Sequence, residues 1–245
     1  MKALIGKKLG MTKVFGEEGQ SIVVTAVEAG PCVVVQRKTK AKDGYNAVQL
    51  GFGAQKDGRI NKSLLGRFKK CGAPSKLHLR EFLVEEADVL KAGDTVTVSI
   101  LDGVPFVDVV GTTKGRGFQG VVKRYRMAGG PETHGSMSHR RVGAIGQRTW
   151  PARIIKGKRM PGHMGNVRVT TQNLKVVSIN PEKNLVMIGG CVPGANGSII
   201  IIKQSLKRRV AEVRRVKKEP VDVKPKKTAE APKGKKPAED KAKKK

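Results

Sequence analysis

Apolar residues recur along this chain in short runs, not at helical spacing. Nine Val-, Ile- and Thr-rich segments are bounded by Gly, Pro, Asn or Asp: 21–27, 32–36, 47–52, 95–101, 106–110, 167–171, 175–179, 185–188 and 198–202. β-Branched runs punctuated in this way read as strands. Asn180-Pro181-Glu182-Lys183-Asn184 reads as a hairpin loop between two of them, and Pro193-Gly194-Ala195-Asn196-Gly197 as a second turn. Many short antiparallel strands predict a mainly β fold, a closed barrel or a sandwich. One helix is expected over 61–71, where Leu64, Leu65 and Phe68 share a face, and a turn or two over 85–90.

The strand pattern breaks over 111–168, up to the start of the run at 167. The intervening segment has twelve glycines, 13 Lys or Arg and a single acid, Glu132. It cannot bury enough apolar surface to offset its own ordering entropy. A loop of this length in a compact domain is expected only where it has a function. After about residue 207, Lys, Pro, Ala and Glu dominate; 207–218 is expected to form a basic helix, and the rest has a disorder composition. The organisation expected is a β body from 1–110 and 169–206, a basic glycine-rich arm from 111–168, and a Lys-rich, disordered C-terminal tail from 207–245.

Charge sharpens this division. The 245 residues carry 50 Lys plus Arg and 20 Asp plus Glu, a formal net charge of +30. Residues 111–168 hold +12 and residues 203–245 another +12, which leaves only +6 for everything else. Such a field suits a polyanion and argues against a small-molecule substrate. No apolar run is long enough to span a membrane, and the start, MKALIGKKLG, lacks a signal peptide's apolar stretch, so a cytoplasmic location is expected. Cys32, Cys71 and Cys191 are odd in number and far apart, which fits reduced, mostly buried thiols.

Several motifs in the arm have competing readings. Gly115-Arg116-Gly117-Phe118-Gln119-Gly120 matches a dinucleotide fingerprint in letters, yet no apolar helix and no acid about 20 residues on follows it. A glycine-rich basic turn approaching phosphates fits better. His134, His139 and His163 lack a Cys or carboxylate to complete a metal set, so no metal and no cofactor is expected. Ser136 and Ser138 have no nearby Asp to orient a histidine base, so no enzymatic role is expected. Trp150 is flanked by Arg148, Thr149 and Pro151, which favours stacking on a base over a place in the core. Phe118 and Tyr125 could do likewise, or pack beneath a short helix over 118–125.

The same residues resemble one family, the bacterial large-ribosomal-subunit protein L-three. The resemblance rests on Gly6-Lys7-Lys8-Leu9-Gly10-Met11-Thr12, on the run from Gly111 through Lys114, Arg116, Phe118 and Lys123 to Arg124, and on Thr133-His134-Gly135-Ser136. It continues with Ser138-His139-Arg140, Gly143-Ala144-Ile145-Gly146-Gln147, the stretch from Lys156 to Asn166, and the turn at Val192–Gly197. It covers residues 1 to about 207. It implies a six-stranded β-barrel of the translation-protein type with a long basic loop extension threaded into ribosomal RNA. Members bind 23S ribosomal RNA near its 3′ end, help nucleate subunit assembly, neighbour large-subunit proteins fourteen and nineteen, and send the extension's tip towards the peptidyl transferase centre. By the match, 147–153 is the tip. Some members carry a methylated glutamine there, where this chain has Thr149. The RNA-binding residues expected are Lys114, Arg116, Phe118, Lys123, Arg124, His134, His139, Arg140, Arg141, Gln147, Arg148, Thr149, Trp150, Arg153, Lys156, Lys158, Arg159 and His163.

Overall fold

The computed structural model describes residues 2–16, 19–85 and 90–208. The strands are β1 (Ala3–Phe15), β2 (Ser21–Ala29), β3 (Cys32–Lys38), β4 (Ala47–Ala54), β5 (Lys76–Leu83), β6 (Thr95–Val96), β7 (Phe106–Thr112), β8 (Phe118–Gln119), β9 (Gly162–His163), β10 (Arg168–Asn180), β11 (Leu185–Gly189) and β12 (Ile199–Gln204). The helices are α1 (Lys40–Asp43), α2 (Lys62–Cys71) and α3 (Val121–Tyr125). Six strands close an antiparallel barrel in the order β1-β12-β7-β10-β11-β2. Closure removes free sheet edges. A second sheet, β5-β4-β3-β6, packs its own apolar face into the same core. Leu4 and Ile5 of β1, Val34 of β3, Leu50 of β4, Val107 and Val109 of β7, and Ile200 and Ile202 of β12 meet there.

Where structure and sequence reading differ, local physics explains the difference. The expected strands 167–171 and 175–179 are one bent strand, β10. The register slips between Thr171 and Leu174, and Asn173 sits there in the left-handed region at φ 58°. The buried Asp108 accepts a hydrogen bond from the Asn173 amide at 2.8 Å, so the polar break is a bulge and not a turn. The expected strand 95–101 is a strand only at Thr95–Val96. Val98–Leu101 forms a 3-10 turn that buries Val98 and Leu101, three residues apart on one side. β5 was not expected: it is an edge strand, and Arg80 and Glu81 interrupt its apolar run.

The hairpin at 180–184 is present, with the Asn180 side chain accepting from the Glu182 and Lys183 amides. α2 matches the helix expected over 61–71. It buries Phe68 and ends on left-handed Gly72, whose amide, with that of Ala73, satisfies the last carbonyls. Of the turn expected over 85–90, residues 86–89 lie outside the described residues, as does the expected tail from 209 onward and so nearly all of the basic helix at 207–218. Cys32 is buried, and burial pushes its thiol up to about 11. Cys71 is half-buried and Cys191 is exposed, so burial is not shared by all three cysteines.

Candidate nucleic-acid interface

The arm leaves the barrel where β7 ends at Thr112 and returns where β10 begins at Arg168. These two residues are register partners, so the outgoing and incoming chains start side by side. Main-chain bonds continue the pairing as a stalk. Thr113 donates to Val167 O at 2.9 Å, Arg116 to Met164 O at 2.8 Å, and Met164 to Gly117 O at 2.9 Å. β8 and β9 extend it, with Phe118 opposite His163. Gly165 has φ 79°, and any side chain there would strike the Lys114 carbonyl, so this close approach requires glycine.

Beyond the stalk a small knot forms. Val121 at the start of α3 is buried. Arg124 donates to Met160 O at 2.7 Å, tying the helix to the returning chain. The guanidinium carbons of Arg124 and Arg159 lie 5.0 and 5.6 Å from the Tyr125 ring centroid, within cation–π range. Tyr125 therefore organises two cations, whereas Phe118 packs beneath nothing and is 77% exposed. Further out, Gly130 donates to His139 O at 2.8 Å, and a ring nitrogen of His139 faces Pro131 O at 2.9 Å. From Arg140 to Lys158 the chain forms neither helix nor strand.

The candidate residues are placed unevenly. Lys114, Arg116, Phe118, Lys123, His134, His139, Arg140, Arg141, Gln147, Arg148, Thr149, Trp150, Arg153, Lys156, Lys158, Arg159 and His163 are exposed; Arg124 is half-buried and partly committed to Met160. Trp150 is 83% exposed and so lies outside any core. Arg126 and Arg168 are further exposed arm cations, outside the expected set although the same charge count contains them. Glu132 is the single carboxylate within 111–168, and none occurs between Thr133 and Arg168. Exposed guanidinium forks suit phosphate oxygens and base faces. The GxGxxG letters fall on the stalk and β8 and end at Gly120, the N-cap of the five-residue α3, not in a parallel strand–helix–strand unit. Among the described residues no three His, Cys, Asp or Glu side chains gather as a metal site, and no helix is long and apolar enough to cross a membrane.

A closed antiparallel barrel bearing a long, exposed, acid-poor arm defines a class: a β-barrel protein with a cationic extension. Residues 95–185, spanning the arm and its flanking strands, match the family model described as Ribosomal protein L3. The chain is 54% identical over 210 residues to the large ribosomal subunit protein uL3 of Syntrophotalea carbinolica, covering 84% of this chain and 99% of that one. It is 52% identical to the protein of the same name from Thermotoga maritima, covering 84% and 98%. The corresponding figures for Brachyspira pilosicoli are 50%, 85% and 96%. The chain belongs to the ribosomal protein L3 family.

Proposed function

We propose that this chain is a structural constituent of the large ribosomal subunit in the cytoplasm and has no reaction of its own. Its relatives carry the name of a large-subunit protein, which supports the ribosomal assignment. On this reading the barrel rests on the RNA surface and the arm enters 23S ribosomal RNA near its 3′ end, its tip directed towards the peptidyl transferase centre. Early binding helps nucleate assembly, and large-subunit proteins fourteen and nineteen are the neighbours. One observation carries the RNA-binding part: 13 Lys or Arg against one acid within 111–168, nearly all of them exposed. Phosphate contacts of this kind fix position and register, while shape and a few stacked side chains such as Trp150 add specificity.

The test is a salt titration of the whole chain on a fragment of 23S ribosomal RNA. If about ten phosphates are neutralised, log affinity falls against log salt with a slope of roughly −7 to −9. A slope shallower than about −3 defeats the proposal. Sedimentation of a lysate at high magnesium separates a constituent, which co-migrates with large subunits in fixed proportion, from a factor found mainly free.

A further inference from the structure

Lys8 lies on β1 inside the barrel wall and is only 5% exposed. A buried ammonium is costly unless its protons are satisfied. Its recorded acceptors are main-chain carbonyls, Val192 O at 2.8 Å and Gly194 O at 3.2 Å. The register of β1 on β2 slips between Lys8 and Gly10, and a bulge of this kind re-aims the side chain beside it. The main chain of Lys8 grips the same loop: Gly197 donates to Lys8 O at 2.6 Å, and Lys8 N donates to Ser198 O at 2.9 Å.

That loop, 190–198, lies against the root of the arm. A Cβ on Gly111 would sit 2.8 Å from Pro193 O, and one on Gly194, whose φ is 109°, would sit 3.1 Å from Thr112 O. Gly111 and Thr112 are the last β7 residues before the stalk. One face of the loop thus touches the arm's first residues, and the other is held by a buried cation.

We propose that Lys8 is a positioning residue: it clamps the 190–198 loop into a collar that sets the direction in which the arm leaves the barrel. The clamp presents no charge to RNA and acts only through the collar. Its effect on RNA affinity rests on the function proposed above; its effect on the collar does not.

The experiment is amide hydrogen exchange on the full chain, wild type against Lys8→Met. Exchange should rise at least tenfold in the collar (190–198) and the stalk (113–117 and 164–167), with barrel amides of β2 and β11 unchanged. Affinity for a 23S ribosomal RNA fragment should fall at least tenfold. Gly111→Ala, which pushes Pro193 from the other side with Lys8 intact, should give the same exchange pattern. This second variant keeps the test decisive if Lys8→Met does not fold. Unchanged exchange in the collar and stalk overturns the proposal. So does a uniform rise over the whole barrel, which would make Lys8 an ordinary wall residue. If the wild type fails to bind the RNA, the proposed function falls while the exchange result still decides the role of Lys8.

Discussion

Val107 and Val109 on β7 have no exposed surface, whereas Lys114 and Arg116, a few residues further along the same chain, stand in solvent. The boundary between body and arm is crossed within one strand. On the body side, order comes from apolar side chains meeting in a closed barrel. On the arm side, apart from Val121 and the Tyr125 knot, order comes from main-chain bonds between two adjacent chains and from glycines where backbones nearly touch. The body carries little excess charge and the arm +12. On the function proposed above, fold stability and RNA affinity belong to separate residue sets, which makes them separable by mutation.

The largest expected effect tests the arm alone. Replacing Arg140, Arg141, Arg148, Arg153, Lys156 and Lys158 with Gln should weaken RNA affinity on the order of 10⁴-fold near 0.15 M salt and make the salt slope shallower by about 4 to 5. The melting temperature should move by less than about 2 °C, because all six side chains are exposed. A fall of more than about 5 °C would erase the division between the two regions.

The complementary change attacks the body. Ile202 is fully buried in the core, so Ile202→Ala should cost about 2–5 kcal/mol of stability by chemical denaturation. At a temperature where the variant is still folded, its salt slope on RNA should equal that of the wild type. A shallower slope would show that the core also tunes the arm.

The smallest effect concerns an ion pair on the second sheet. Lys38 Nζ lies 2.8 Å from Glu81, and Tyr45 donates to the same carboxylate at 2.8 Å. The Lys38 and Tyr45 contacts hold the Glu81 carboxyl below its ordinary 4.5, and the Glu81 bond raises the Lys38 ammonium to about 12. A depressed carboxyl stabilises the fold above its unfolded pKa, and that share is lost as pH falls through the folded value. The acid side of the stability profile, below about pH 4.5, should therefore be slightly flatter in Glu81→Gln. The raised Lys38 contributes fully below 10.5 and loses its share as pH rises through about 12. At neutral pH the change should be about a degree in melting temperature, since exposed pairs are screened. RNA binding should not respond, and a measurable response would place this sheet in the interface.

Much of this layout was legible in the chain. Val- and Ile-rich runs located most barrel strands because each needs one buried face, and the acid-poor, glycine-rich stretch marked the arm because its composition leaves little to build a core. Three features were not legible for physical reasons. The bend in β10 depends on Asp108, distant in sequence, meeting the amide of Asn173. The Arg124–Tyr125–Arg159 knot depends on a chain reversal that no periodicity reports. The burial of Lys8 depends on carbonyls of Val192 and Gly194, distant in sequence, so its letters look like any other surface lysine.

Barrel closure also has a consequence in time. β1 is bonded to β12, the first strand to the last among the described residues, with Ala3 opposite Lys203. During synthesis from the N-terminus, β1 waits until Ile199–Gln204 have been made before its second neighbour exists. The arm, at 111–168, is therefore made before the platform beneath it can close. A nascent chain passes through a stage in which its most cationic internal segment is complete while its core is still open.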